Sequence, residues 1–201
     1  MNRILFAGAA LALGLMCGPA RAEPTGEQAT TEETPWYKDW WNTAKTETTS
    51  ILRDGGWDLY FPAAEYHMPW AYDKEARSTL NQSPMPAFGL GRGQHLENGN
   101  WQGLYVMGFR DSHDFASWTV GYNYLWLWDL PAGVHGGFGA TAFVMTRQDY
   151  DYVPFPAILP TAHLGYKNLS VEASYVPAYK HGTGNVLFIW FKLEEKGRPG
   201  S

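Results

Sequence analysis

The sequence predicts an all-β chain: an eight-stranded antiparallel β-barrel preceded by an N-terminal amphipathic helix. Three observations carry this. Helical periodicity ends near residue 56, and from there short segments rich in aromatic and β-branched residues alternate with clusters of Gly, Pro, Asn and Asp. These segments number eight, an even count, and tight and long links alternate between them. The 201 residues are 16% aromatic (10 Trp, 12 Tyr, 10 Phe) but only 17% charged, a balance suited to a wall that faces something less polar than water.

One domain is expected at this length, and the apolar fraction of 45% is too high for a disordered chain. The mean hydropathy of −0.34, with no run of about 18 uncharged apolar residues beyond the N-terminus, argues against a helical membrane protein. Residues 1–22 read as a signal peptide: Arg3 gives the positive end, Ile4 to Met16 the apolar stretch and Ala20-Arg21-Ala22 a small-x-small cleavage site. Cleavage there removes two arginines and no acid, so the net charge of −5 becomes −7, and no nucleic-acid partner is expected. The only cysteine, Cys17, would leave with that segment, taking disulfides, thiolate metal sites and cysteine nucleophiles with it; a lipoprotein would need a small residue where Met16 stands.

Residues 23–34, polar and without periodicity, are expected to be a flexible lead-in. The helix is assigned to residues 35–54, with Thr34 as N-cap, Pro35 at the first helical position, Arg53 in the last turn and Gly55-Gly56 as the stop. Trp36, Tyr37, Trp40, Trp41, Ala44, Ile51 and Leu52 fall mostly three or four apart and so share a face, opposite Lys38, Asp39, Asn42, Lys45, Glu47 and Ser50. Three Trp and a Tyr in two turns suit a membrane interface, where an indole buries its ring and still meets water; packing on a core is the plainer alternative.

The barrel is assigned to residues 57–193 and a C-terminal tail to 194–201. Strands are expected near Trp57 to His67, Ala87 to Gln94, Trp101 to Arg110, Trp118 to Trp128, His135 to Arg147, Ile158 to Tyr166, Leu169 to Val176 and Asn185 to Leu193. The links at 97–100, 130–133 and 167–168 are tight; those at 68–86, 148–157 and 177–184 are long, and 111–117 is intermediate. This layout fits a transmembrane outer-membrane barrel, and it also fits a soluble up-and-down barrel such as a lipocalin. In the seventh segment Leu169, Val171, Ala173 and Tyr175 oppose Ser170, Glu172 and Ser174, whereas Leu125 to Trp128 and Val186 to Trp190 are continuously apolar and imply a dry interior there. Aromatics near strand ends (Trp57, Tyr60, Trp101, Trp118, Trp126, Trp128, Tyr150, Tyr152, Tyr166, Tyr179, Trp190) would form two girdles.

The six histidines show no metal-ligand spacing, and Gly89, Gly91 and Gly93 alternate along a strand rather than turning into a helix, so they read as small residues in a narrow barrel, not a phosphate loop. His67 closes the first strand and Asp111-Ser112 follow the third, so all three belong to one rim. A His, a carboxylate and a hydroxyl there suit acyl transfer, although each is also an ordinary loop residue. His163, inside the sixth strand, reads as structural.

Beyond this point the residues resemble a known family. The strings Asp58-Leu-Tyr-Phe-Pro62-Ala, His67 followed by Ala71-Tyr72-Asp73-Lys74-Glu75, Gly99-Asn-Trp-Gln-Gly-Leu-Tyr105, Phe109-Arg-Asp-Ser112, Pro154 to Pro160 and Gly184-Asn185-Val186 are similar to the outer-membrane lipid A palmitoyltransferases, the PagP family, from the helix to about Leu193. The resemblance implies an eight-stranded transmembrane barrel in the bacterial outer membrane, expected to be monomeric. It implies transfer of an acyl chain from the sn-1 position of a glycerophospholipid donor to a hydroxyacyl chain on the proximal glucosamine of lipid A, with no cofactor. His67, Asp111 and Ser112 match the family's essential rim residues, with His67 expected as base or proton shuttle and the others as orienting or oxyanion-stabilising groups. A non-catalytic structural or adhesive barrel, a lipocalin-like carrier and a lipid A deacylase are the rival classes.

Two pairs of prolines, Pro62 with Pro84 and Pro160 with Pro177, also match the family and imply gaps for lateral lipid access, since proline cannot donate to a ladder; strand termination is the plainer reading. Asn123 stands where well-known members have a glycine at the floor of the acyl pocket, which implies a pocket shortened by a larger polar residue, and a chain shorter than palmitoyl, unless the side chain turns away. The ending Leu193-Glu194-Glu195 and onward also departs from the family, whose chains finish on an aromatic residue used in assembly.

Overall fold

The computed structural model describes residues 36–80, 82–178 and 184–196. The expected signal peptide with Cys17, the lead-in, the Thr34-Pro35 helix start, Tyr179, His181 and residues 197–201 lie outside the described residues. Helix α1 (Trp36–Asp54) leads into β1 (Gly56–His67), α2 (Lys74–Thr79), β2 (Phe88–His95), β3 (Trp101–Arg110), β4 (Ala116–Asp129), β5 (Val134–Thr146), β6 (Phe155–Tyr166), β7 (Leu169–Val176) and β8 (Val186–Glu194). Each strand pairs antiparallel with the next and β8 closes on β1, giving an eight-stranded barrel. Tight turns gather at one end; the longer links, at 68–87, 111–115, 147–154 and 177–185, gather at the other.

All eight expected strands are present, with shifted ends. β6 opens three residues early because Phe155 already pairs with Met145 of β5. β8 runs through Glu194, which the sequence had placed in the tail, because that carboxylate turns into the barrel and meets Lys192 and His95. The 68–86 link was expected as plain loop; it holds α2, capped by Asp73, whose Oδ1 accepts the Ala76 N–H at 2.7 Å.

The lumen has two halves. Toward the long links, Tyr60, Tyr105, Met107, Phe109 and Trp190 form an apolar cluster joined by Ala87, Phe143, Met145 and Phe188. Toward the tight turns the expectation of a dry, apolar interior fails: Asp58, Glu172, Lys192, Glu194, His135 and His163 are buried there. The polar row of β7 explains this, because Ser170, Glu172 and Ser174 point inward and need partners. Gly89, Gly91 and Gly93 provide the room, since a Cβ at Gly89 or Gly91 would strike Tyr60 and one at Gly93 would strike Trp101.

Inward alternation also corrects the girdles. Trp57, Trp118, Trp128, Tyr150, Tyr152 and Tyr166 lie on the outside, but Tyr60, Trp101 and Trp190 face the lumen and are buried. Nearness to a strand end says nothing about which face a residue takes. The outer face of α1 bears on the other open reading. The helix docks on the wall through Ile51 and through polar contacts, Gln102 Nε2 donating to Glu47 Oε2 at 2.6 Å and Ser50 meeting Gln94. Tyr37, Trp41 and Leu52 are left exposed on one stripe, so this face of the helix does not pack on the barrel.

Candidate active site

The site begins with one extra residue in β1. Gly56, Asp58, Tyr60 and Pro62 face the lumen, and continued alternation would send Ala64 and Tyr66 inward. Instead Pro62 pairs with Trp190 and Ala64 with the very next residue, Ile189, so Ala63 is bulged out of register. The phase flips, and Glu65 and His67 are the residues that turn inward and are buried.

His67 sits at the rim with its Nδ1 buried and, among the described residues, without a hydrogen-bond partner. The Tyr72 ring meets it edge-on, centroids 5.0 Å apart, and is itself fixed by donating its hydroxyl to the Gly184 carbonyl at 2.7 Å. Burial pushes the Tyr72 phenol up, which keeps it a donor.

Asp111 and Ser112 follow β3 at the same end. Asp111 is fully buried and its carboxylate is engaged: Oδ1 accepts the N–H groups of His113 (2.9 Å) and Phe115 (3.0 Å), and Oδ2 faces Arg147 Nη2 at 3.3 Å. With the Asp111 N–H donating to the Phe115 carbonyl, this makes a closed turn over 111–115 with Asp114 left-handed at φ 66°. Both carboxylate oxygens of Asp111 are thus engaged by the turn carrying Ser112 and by Arg147.

Glu65, Arg147 and Tyr72 escaped the sequence reading. Glu65 had a signal, a carboxylate two residues before His67 and thus on its face, but one that the bulge concealed. Arg147 ends β5 at the same rim and lies close to both Glu65 and Asp111.

Both proline pairs sit where ladders stop. β1–β2 pairing ends at Tyr60–Gly89, leaving residues 61–64 without a β2 partner; above this, the Glu65 N–H donates to the Gln82 carbonyl and the Arg110 N–H to that of Pro84. β6–β7 pairing ends at Thr161–Ser174, next to the outward-facing Pro160, and Pro177 follows the end of β7. Two interruptions of the strand ladder thus fall at the level of the apolar cluster.

Asn123 points inward and is buried, so it is not turned away. Its Nδ2 donates to Glu172 Oε2 at 3.1 Å, as does Trp190 Nε1 at 3.2 Å. Glu172 Oε1 meets Lys192 Nζ at 2.7 Å and His163 Nδ1 at 3.1 Å. Lys192 reaches Glu194 at 3.1 Å and lies 3.4 Å from the centroid of the Trp101 ring. His163 Nε2 stands 3.0 Å from His135 Nδ1, whose Nε2 reaches the Lys167 carbonyl at 2.9 Å. A charged, hydrogen-bonded layer thus closes the apolar half from below.

Known proteins are similar to this chain over most of its length. A family model described as "Antimicrobial peptide resistance and lipid A acylation protein PagP" matches residues 47–192. Proteins named lipid A acyltransferase PagP are similar along most of their length: one from Methylobacillus flagellatus is 36% identical over 77% of this chain and 83% of its own. One from Laribacter hongkongensis is 40% identical over 79% and 74%, and one from Musicola paradisiaca 35% identical over 85% and 90%. With the family model spanning the barrel and relatives at this identity, the chain belongs to the PagP family.

Proposed function

We propose that the protein is a lipid A acyltransferase of the bacterial outer membrane, taking a fatty acyl chain from the sn-1 position of a glycerophospholipid and placing it on a hydroxyacyl chain of the proximal glucosamine of lipid A. The observation that carries this is the placement of His67 and Ser112 at the mouth of an apolar, closed-bottomed half-barrel. The names of the related proteins support the acceptor and the reaction type. The exposed Trp41 stripe of α1 and the aromatic outer wall support a barrel set in a bilayer.

In this reading the donor chain slips sideways through a wall interruption, because there no strand-to-strand hydrogen bond has to break to admit it. The chain lies in the apolar half, which holds its ester at the rim. His67 takes the proton of the attacking lipid A hydroxyl as that oxygen bonds to the ester carbon. The Ser112 hydroxyl donates to the carbonyl oxygen as it gains charge. On collapse the glycerol oxygen leaves and receives the proton from His67, so the products are acylated lipid A and a lysophospholipid, with no net proton change. An ester is already an activated acyl group, so the scheme calls on no cofactor.

The test is transfer from vesicles containing phospholipid isotopically labelled in the sn-1 chain, with lipid A as acceptor. Label on lipid A with a matching lysophospholipid supports the proposal; label in free fatty acid, or lipid A that loses chains, contradicts it. Donors of graded length in the same assay read the floor at Asn123. The wild type is expected to prefer chains shorter than palmitoyl, and Asn123→Gly to move the optimum to longer chains. Identical optima would remove Asn123 as the stop.

A further inference from the structure

His67 is the last residue of β1 and pairs with Val186 of β8, which fixes its main chain but leaves the imidazole free to turn about its own side-chain bonds. A general base works when a further group holds it facing the proton it takes. The carboxylate of Asp111 is engaged by two main-chain N–H groups and by Arg147, and His67 Nδ1 is buried with no hydrogen-bond partner among the described residues. The contact described for the imidazole is with another ring. Directly after β1 the chain turns, the Ala71 and Tyr72 N–H groups both donating to the Met68 carbonyl at 3.0 and 3.1 Å. This brings Tyr72 back to His67, with ring centroids 5.0 Å apart and planes at 87°.

Tyr72 is held at its far end. Its hydroxyl donates to the Gly184 carbonyl at 2.7 Å, and that carbonyl belongs to a segment pinned from three sides. Gly184 is left-handed at φ 76° and lies so close to Pro177 that a Cβ would strike the Pro177 carbonyl. Asn185 Oδ1 accepts the Tyr175 hydroxyl at 2.6 Å, and the Asn185 carbonyl accepts the Met68 N–H at 3.0 Å.

We infer that Tyr72 is a positioning residue: its ring, anchored to the β7–β8 link at Gly184, holds the His67 imidazole in the orientation that proton transfer requires. Edge-to-face contact is an arrangement that ring quadrupoles favour, and it limits how far the imidazole can turn. Because the Tyr72 hydroxyl is committed to Gly184, the phenol neither gives nor takes the proton in the reaction, and its part is geometric. Misplacing a reacting group by about 1 Å lowers rates about a hundredfold, so such a contact acts on turnover. Tyr72 is not a member of the apolar cluster, so the grip on the acyl chain does not depend on it.

The inference rests on the acyl-transfer reading, and two readouts keep them apart. Wild type, Tyr72→Leu and Tyr72→Phe are folded in detergent and assayed with phospholipid donor and lipid A acceptor, and the ring protons of His67 are followed by NMR in the same samples. Tyr72→Leu is expected to lose about 10–100-fold in kcat with KM within about threefold of wild type, and Tyr72→Phe, which keeps the ring, to recover most of the loss. The His67 resonances should shift in the leucine variant and stay near their wild-type positions in the phenylalanine one, with both melting temperatures close to wild type. The inference is overturned if the leucine variant turns over like wild type, if phenylalanine is as damaged as leucine, or if the loss lies in KM or follows a collapsed melting temperature. It is equally overturned if the leucine variant leaves the His67 resonances where they were. A wild type that transfers nothing overturns the acyl-transfer reading instead, and the resonances still report on the ring contact.

Discussion

Replacing His67 by alanine is expected to lower the acyl-transfer rate by at least about a hundredfold while leaving a folded barrel, because a positioned general base contributes on the order of 10²–10⁴ in rate. Two other charged groups at the mouth are unsuited to replace it. Asp111 is committed to two main-chain N–H groups and Arg147, and Arg147 is a permanent cation that cannot take up a proton. The fold should survive because His67 is the last residue of β1 and its described ring contact is the edge of Tyr72. Initial rates with lipid A as acceptor, beside heat-dependent gel migration of the folded form, check both halves. A variant within threefold of wild-type rate would remove His67 from the chemistry.

The second large effect is on stability. Lys192→Met is expected to cost about 3–5 kcal/mol, because it leaves Glu172 and Glu194 buried with their shared cation gone. Adding Glu172→Gln to that variant should restore part of the loss, since the amide keeps hydrogen-bonding capacity toward Asn123 and Trp190 and carries no charge to desolvate. The two effects are non-additive by this argument, as neighbours in one network are. Denaturant titration in detergent, followed by Trp fluorescence, gives the midpoints. A single variant with an unchanged midpoint would show that the layer beneath the apolar half is not holding the barrel together.

The strands were legible because a half-buried strand repeats every two residues and glycine, asparagine and proline mark its ends, so period and punctuation agreed from Leu169 to Val176 and elsewhere. Lumen-facing positions were harder to assign. Tyr60, Trp101 and Trp190 read as girdle residues because aromatics suit both a lipid boundary and a packed interior, and only the register of neighbouring strands separates the two. Glu65 was hidden by the Ala63 bulge, which Pro62 merely hints at. The charged floor was invisible for another reason: Asn123, Glu172, Lys192 and His163 come from four strands, and nothing local in any of them announces the other three. His67, Asp111 and Ser112 could be placed on one rim by counting strands, but what Asp111 does there depends on the turn that folds around it.

The most direct measurement is the mass of lipid A from a Gram-negative host that lacks this activity, with and without the expressed protein. The account predicts a new species heavier by one acyl chain, absent with His67→Ala. Lipid A lighter by a chain, or unchanged lipid A from cells holding the folded barrel in their outer membrane, would contradict it.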